Sequence, residues 1–175
     1  MNWITYGPAN ILWISDVSLL LAYFATIFES RFLASMAALQ GFIFESLWVI
    51  IFLASRIFPW NTELTGYMSN VSIPLWIRCL SLFHMILPIY FAWLLVRFGY
   101  TRKALPIQIG ICWFVILLTW AVTNPKTDIN FVFSYLKFGM DPTLYLSLLL
   151  IGLTLVILLT HFLILKTKLI KKANS

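Results

Sequence analysis

Charged side chains are scarce in this sequence. Lys, Arg, Asp and Glu make up 10% of the 175 residues, whereas hydrophobic residues make up 62%. Ordinary soluble domains carry about 25% charged residues, which cover their surface in contact with water. The low charge therefore excludes an ordinary water-soluble domain. The apolar residues also occur in long runs instead of amphipathic patterns, so the sequence predicts an integral membrane protein.

Cysteine and histidine are rare as well, with two residues of each. Cys79 and Cys112 both fall inside apolar runs without metal-like spacing, which predicts packing residues and not a disulfide. The two histidines lie at opposite predicted depths, and the scattered acids complete no ligand set. We predict neither a metal nor a cofactor.

The N-terminus lacks the features of a cleaved signal peptide. It has no basic segment and no small-residue cleavage pattern, and its apolar run carries Asp16. We expect this run to remain as a span. The sequence also lacks the basic and aromatic pattern of a nucleic-acid surface, so we predict no nucleic-acid partner.

Five apolar runs are long enough to cross a bilayer, which takes about 17–25 residues of helix. They predict one all-α transmembrane domain over residues 1–175, a bundle with spans at about 10–28, 33–58, 75–96, 105–122 and 144–165.

Lys and Arg predict the orientation, because cytoplasmic loops near span ends carry the excess of these residues. One side holds Arg31, Arg97, Arg102, Lys103, Lys166, Lys168, Lys171 and Lys172, and the other holds Arg56, Lys126 and Lys137. We predict an outside N-terminus and an inside C-terminus with a basic cytoplasmic tail at 166–175. The net charge of +6 is mainly a topology signal, with some attraction to anionic lipid headgroups.

The loop before the last span contains an aromatic run at about 129–138 that is too short to cross. It predicts an interfacial or re-entrant segment on the outer face that roofs an outward-facing cavity. A surface helix that only connects two spans is an equal alternative.

Polar groups inside the spans are the best candidates for function, because a charge at the bilayer centre costs about 2.5–3.5 kcal/mol. The helical rise per residue places Arg78 and the Ser15–Asp16 pair close to the outer membrane surface. It places Glu45 and His84 nearer the midplane of the bilayer. We predict that Asp16, Glu45, Arg78 and His84 share one outer-half cavity. His161 is expected to reach the inner interface instead.

Helical spacing predicts which residues share a face. The third span has a polar stripe of Arg78, Ser81, His84 and Pro88. The other predicted faces are Ser15, Ser18, Ala22 and Ala25; Ala34, Ala38, Gly41, Glu45 and Trp48; and Gln108, Cys112 and Thr119. The small residues of the second span favour close helix contact. The fifth span has no polar stripe and is predicted to be a lipid-facing anchor.

These residues suggest one chemistry and one plain alternative. A hydroxyl becomes a nucleophile when a base accepts its proton, and His is the usual base. Ser15 and His84 would form such a pair, with Glu45 or Asp16 orienting the imidazole. Arg78 would bind a carboxylate or a phosphate headgroup. The alternative is a compensated ion-pair network, with Ser15 bonded within its own helix.

Four segments resemble a small multi-pass bacterial membrane family and, more distantly, the androgen-induced-protein family and its acyltransferase relatives. They are Trp13-Ile-Ser-Asp-Val-Ser-Leu-Leu-Leu-Ala22, Ala38-Leu-Gln-Gly41, Pro74-Leu-Trp-Ile-Arg-Cys-Leu-Ser-Leu-Phe-His84 and Asn130-Phe-Val-Phe133, within about residues 10–135.

The resemblance implies an intramembrane enzyme that hydrolyses or transfers fatty acyl esters. Those relatives use a Thr or Cys near the start of one helix and a His in a later one, which correspond to Ser15 and His84 here. This chain departs from them in having Ser at the first position and five predicted spans instead of six.

The sequence therefore leads to a hypothesis and a rival. The hypothesis is a lipid acyl-ester hydrolase or acyltransferase of the bacterial inner membrane, with Gln108 and Asn130 joining Asp16, Glu45 and Arg78 as supporting residues. The rival is a non-enzymatic subunit, either a scaffold, a lipid-binding protein or a transporter component. Membrane lipids are predicted partners in both, as is an oligomer or membrane partner through Ala34, Ala38 and Gly41.

Overall fold

Seven α-helices form the bundle in the computed structural model, which describes residues 7–58, 62 and 64–167. All regular secondary structure in the described part is helical, with no strand. The helices are α1 (Ile14–Ile27), α2 (Arg31–Ile57), α3 (Leu75–Leu80), α4 (Phe83–Phe98), α5 (Ala104–Val122), α6 (Tyr135–Phe138) and α7 (Pro142–Lys166). Three 3-10 helices lie at Pro8–Leu12, Gly66–Ser69 and Ile129–Phe131. The predicted all-α bundle is confirmed.

Four helical stretches are long and apolar enough to cross a bilayer: α2, α3 with α4, α5 and α7. The first predicted span is shorter than expected, because α1 has 14 residues and the chain before it forms a 3-10 turn. The chain is therefore of the membrane-protein type, while five crossings and their orientation stay predictions. Most of the predicted basic tail lies outside the described residues.

Helix α2 is the centre of the bundle and packs against α1, α4, α5 and α7. Its closest approach is at Gly41, where an added Cβ would lie 2.5 Å from the Phe91 ring and 2.8 Å from the Ser18 hydroxyl oxygen. The small residues thus allow α1, α2 and α4 to meet without a gap.

The small face predicted for an oligomer is covered within the chain. Ala34 and Ala38 are 0% exposed and belong to the core, together with Ala22 and Ala25 of α1. A partner chain would reach this face only after a neighbouring helix moved away.

The predicted third span is broken at Ser81–Leu82, between α3 and α4. Short-range bonds replace the regular ladder there, including Ser81 N to Arg78 O at 3.1 Å and His84 N to Ser81 O at 3.2 Å. Pro88 has no N–H to offer the carbonyl of His84, four residues earlier, which favours a distortion on this side of the helix. The predicted continuous stripe from Arg78 to Pro88 is therefore interrupted.

Segment 129–138, which is predicted to lie on the outer face, packs into the bundle. The Asp128 carboxylate accepts hydrogen bonds from Phe133 N and the Ser134 hydroxyl, both at 2.8 Å. Val132 is 0% exposed and joins the hydrophobic core. The segment therefore does more than connect two helices, while the outward-facing cavity beneath it stays a prediction.

Helix α7 differs from the lipid-facing anchor that its composition suggested. One face is exposed, with Leu148, Ile151, Leu155 and Leu159. The opposite face packs against α2 and α5 and buries Leu153, Ile157, Thr160, His161 and Ile164. The anchor interpretation therefore holds for one face only.

Candidate functional site

A buried acid and a histidine meet between α2 and α4. Glu45 is 2% exposed, and its Oε2 pairs with Nδ1 of His84. A buried carboxylate needs such a partner, because its desolvation is otherwise very costly. The predicted contact between Glu45 and His84 is present in the structure.

This contact orients the imidazole. An ionised carboxylate only accepts hydrogen bonds, so with Glu45 ionised the hydrogen of His84 resides on Nδ1 and Nε2 is an acceptor. Within the described part of the chain, Nε2 has no hydrogen-bond partner. The side chain is 13% exposed, so Nε2 is a base in a largely enclosed position.

Asp16 belongs to the same group. Its carboxyl lies close enough to interact electrostatically with both His84 and Glu45. We call Asp16, Glu45 and His84 the outer cluster. Three titratable groups from three helices thus lie near one another, while their position in the outer half of a membrane stays a prediction.

Ser15 lies at the level of the outer cluster. In the hairpin of α1 and α2, Ser18 lies beside Gly41. Ser15 precedes Ser18 by one turn of α1, and Glu45 follows Gly41 by one turn of α2. Because the two helices run in opposite directions, Ser15 and Glu45 lie on the same side of this contact. Ser15 is half-buried. Among the described residues the Ser15 hydroxyl makes no hydrogen bond to His84. The two side chains therefore lie at a similar height along the bundle but are not bonded to each other.

Asn130 fixes the start of the helix that carries Ser15. Its Oδ1 accepts from Ile14 N at 3.0 Å, and its Nδ2 donates to Leu12 O at 2.7 Å and to the Thr119 hydroxyl at 3.3 Å. Trp13, at the N-cap position, supplies no side-chain cap. The supporting residue predicted at Asn130 therefore supports the backbone of α1, which it caps from the outer segment.

Arg78 is separated from the outer cluster. Its Nε donates to Ile73 O at 3.1 Å and its Nη1 to Met68 O at 3.2 Å. Both carbonyls belong to the loop before α3, on the far side of the helix break. Of the four groups predicted to share a cavity, the structure brings three together and holds Arg78 at the loop.

Gln108 is buried with Cys112 and Thr119, as its predicted face requires. Its amide donates to Gln40 Oε1 across the interface of α2 and α5. Gln40 Nε2 and Gln108 Oε1 have no partner within the described residues. Gln108 thus belongs to a separate amide pair and, among the described residues, makes no hydrogen bond to the outer cluster.

A second buried histidine was missed by the depth argument. His161 is 8% exposed, and its Nδ1 lies 2.6 Å from the hydroxyl of Tyr100. Arg31 Nε donates to the Tyr100 carbonyl at 3.0 Å, and Thr101 N donates to the Ser35 hydroxyl at 2.9 Å. We call these five residues the inner cluster.

Helical spacing was the available signal for His161. It follows Leu153 and Ile157 at steps of four residues and precedes Ile164, and all four are buried. The tail lysines suggested an interfacial position instead. The position of His161 at the inner interface stays a prediction, and the structure adds that its ring is buried against Tyr100.

The phenol of Tyr100 is the uncharged partner of His161 in the inner cluster. Burial raises the pKa of the Tyr100 phenol to about 12, and the nearby positive charge of Arg102 opposes this rise only in part. The phenol therefore stays protonated over the neutral range and serves as a hydrogen-bond partner of His161.

The described residues contain no group of three His, Cys, Asp or Glu side chains able to hold a metal. Both cysteines are free thiols; Cys112 is buried, whereas Cys79 is exposed and does not have the packing role predicted for it. Comparison of the chain with protein-family models, with curated proteins and with solved structures gave no match.

Proposed function

We propose that this chain is an intramembrane acyl-ester hydrolase or acyltransferase that acts on membrane lipids, with Ser15 as nucleophile and His84 as general base. The bond from His84 Nδ1 to the buried Glu45 is the observation that carries the proposal. It directs the free Nε2 away from the acid, as the third member of a catalytic triad does.

The proposed reaction has two steps. The Ser15 Oγ attacks the ester carbonyl carbon while its proton passes to His84 Nε2. The carbon–oxygen bond to the lipid alcohol then breaks, and the alcohol leaves with that proton. Water, or the hydroxyl of an acceptor, next attacks the acyl-Ser15, gives its proton to His84 and releases a fatty acid or a new ester. Ser15 regains its proton from His84.

The remaining polar residues have supporting roles in this proposal. Glu45 stabilises the imidazolium that forms at His84, and Asp16 adds negative charge nearby. The Nη2 group of Arg78 makes no hydrogen bond in the described part of the chain and remains available for an anionic headgroup. The lipid ester would then lie deeper than its headgroup, nearer His84.

A serine-reactive phosphonate lipid followed by intact-protein mass spectrometry tests the nucleophile. We expect one adduct on the wild type and none on Ser15→Ala. Ser18→Ala is the matched control, because Ser18 lies one turn away on α1 and its hydroxyl, within the part of the chain that the structure describes, bonds only to the Ser15 carbonyl, at 2.8 Å. Equal labelling of Ser15→Ala and the wild type would remove Ser15 from this role.

A second candidate is a non-enzymatic membrane subunit, a scaffold, lipid-binding protein or transporter component, in which the outer cluster binds protons. It is favoured by the direct bond between Glu45 and His84 and by the lack of a bond from Ser15 to His84. It predicts an intact lipid or partner chain that co-purifies with the protein and no ester turnover. Native mass spectrometry with lipid extraction separates the two candidates.

The orientation is part of the proposal. Five crossings with the N-terminus outside would put the outer cluster in the outer half of the bilayer. Reporter fusions at the two ends test this arrangement, and reporters on the same side would contradict an odd number of crossings.

A further inference from the structure

The imidazole of His84 has a second contact besides Glu45. The indole of Trp48 stacks against it, with ring centroids 4.6 Å apart and planes inclined by 27°. Trp48 is 4% exposed and follows Glu45 by three residues on α2, so both side chains lie on the same face of one helix. One helical turn therefore provides both an acid at the edge and an aromatic ring at the face of the imidazole.

Both contacts are needed to fix the ring. The hydrogen bond at Nδ1 and the attachment at Cβ still leave the imidazole able to tilt by small changes in χ1 and χ2, which would move Nε2. A stacked aromatic ring restricts this tilt, because offset stacking depends on the relative planes. The ring of Phe83 lies at 4.1 Å with an inclination of 30° and adds to the aromatic surroundings.

Trp48 is itself held in place. Its indole stacks on Phe52 at 5.1 Å and 17°, and the guanidinium of Arg56 lies 4.8 Å from the Phe52 ring centroid. Arg56 in turn donates to the Ser69 hydroxyl at 3.0 Å. A column of stacked groups thus runs along α2 from the outer loop to His84.

We propose that Trp48 is a positioning residue that sets the plane of the His84 imidazole and so preserves the tautomer that Glu45 selects. It keeps Nδ1 on Glu45 and Nε2 free for the proton of a hydroxyl. What Nε2 then does rests on the proposed function, whereas the orientation of the ring is a property of the protein alone.

Nitrogen-15 NMR of histidine-labelled full-length protein in lipid nanodiscs tests the proposal. The chain has two histidines, and His161→Gln assigns their signals. We expect a single tautomer for His84 in the wild type and in Trp48→Phe, which keeps an aromatic face. Trp48→Met and Trp48→Leu should give mixed or exchange-broadened signals at His84, with His161 unchanged.

Trp93→Leu is the matched control. The Trp93 indole lies on α4 and stacks on Tyr90, with ring centroids 5.7 Å apart, and has no stacking contact with His84. Trp93→Leu should therefore leave the His84 signals as they are in the wild type. Trp48→Met preserves apolar volume, so it tests the aromatic face even where Trp48→Leu fails to fold.

The kinetics separate this proposal from the proposed function. Trp48→Met should lower kcat about tenfold at an unchanged KM, the effect of losing about one stacking contact in the transition state. A wild-type His84 spectrum in both Trp48→Met and Trp48→Leu would overturn the positioning role. A disturbed spectrum in a protein without esterase activity, wild type included, would support the positioning and overturn the enzyme.

Discussion

The two buried histidines occupy opposite halves of one bundle and differ in their partners. His84 pairs with Glu45, a titratable carboxylate, and Asp16 is near enough to act on both. His161 pairs with Tyr100, a phenol that stays neutral. The outer cluster joins acidic and imidazole side chains from three helices, whereas the inner cluster is a hydrogen bond between a histidine and a neutral phenol.

The surroundings reinforce this difference. The inner cluster joins the turn between α4 and α5 to α2 and α7, through Tyr100, Thr101 and their partners. The outer cluster leaves Nε2 of His84 without a partner in the described residues. A histidine inside a membrane bundle therefore points to function through its partners, and depth alone does not distinguish the two roles.

The largest expected effect is on activity. His84→Gln should reduce ester turnover about 10²- to 10⁴-fold, the usual contribution of a general base. His161→Gln should leave turnover within about threefold, because its role is structural. Initial rates on a chromogenic lipid ester in nanodiscs measure both. A similar loss in the two variants would erase the proposed difference between the clusters.

The next effect is on stability. His84→Leu leaves the Glu45 carboxylate buried without its partner and should cost about 3–5 kcal/mol. His161→Leu leaves only the Tyr100 hydroxyl without its partner and should cost about 1–3 kcal/mol.

Unfolding in detergent with increasing denaturant measures both free energies. The double variant with Glu45→Leu and His84→Leu removes both polar groups and should recover much of the loss. An additive double variant would show that the two side chains are not coupled.

A smaller effect is expected at Gly41, one turn from Glu45. In Gly41→Ala the new Cβ would lie 2.5 Å from the Phe91 ring and push α1 or α4 away from α2. The free energy of unfolding should fall by about 1–3 kcal/mol.

Gly152→Ala on α7 is the control for Gly41→Ala, because its Cβ would meet nothing within 4 Å. It should be neutral or stabilise the helix by up to about 1 kcal/mol. Labelling of Ser15 by the phosphonate lipid should fall in Gly41→Ala only. Equal stabilities of the two variants would contradict the close approach of the helices.

The smallest effect concerns the inner cluster and pH. Tyr100→Phe removes the bond to His161 and should cost about 1 kcal/mol at neutral pH. The folded pKa of Tyr100 is raised from 10.0 to about 12. Its stabilising contribution is therefore fully present below pH 10 and is lost as the pH rises from 10 towards 12.

A pH series of unfolding measurements tests this sign. The difference in stability between wild type and Tyr100→Phe should shrink above pH 10, since the unfolded phenol ionises first. A difference that grows above pH 10 would contradict a raised pKa.

Helix faces were predictable because packing in a bundle follows the helical repeat. The faces of Ser18, Ala22 and Ala25 on α1 and of Gly41, Glu45 and Trp48 on α2 are buried as the spacing indicated. The meeting of Glu45 and His84 also followed from depth and facing, because both residues had to avoid lipid. Small and polar residues among long apolar runs leave few arrangements open.

Other features depended on contacts between distant parts of the chain. Asn130 caps α1 across 116 residues of sequence, and Arg78 bonds to carbonyls of a loop that has no periodic pattern. The burial of His161 required Tyr100 as a partner from another helix. Periodicity describes one helix at a time, so it did not identify these partners.

The amino-acid sequence by itself determined that the chain forms apolar helices of bilayer length and which face of most helices turns inward, because hydrophobicity and helical spacing are local properties. The tertiary structure alone decided which polar groups meet. It placed His84 between Glu45 and Trp48, held Arg78 at the loop before α3, and buried His161 against Tyr100. Such pairings depend on the register of neighbouring helices, which the close contact at Gly41 and the cap from Asn130 fix.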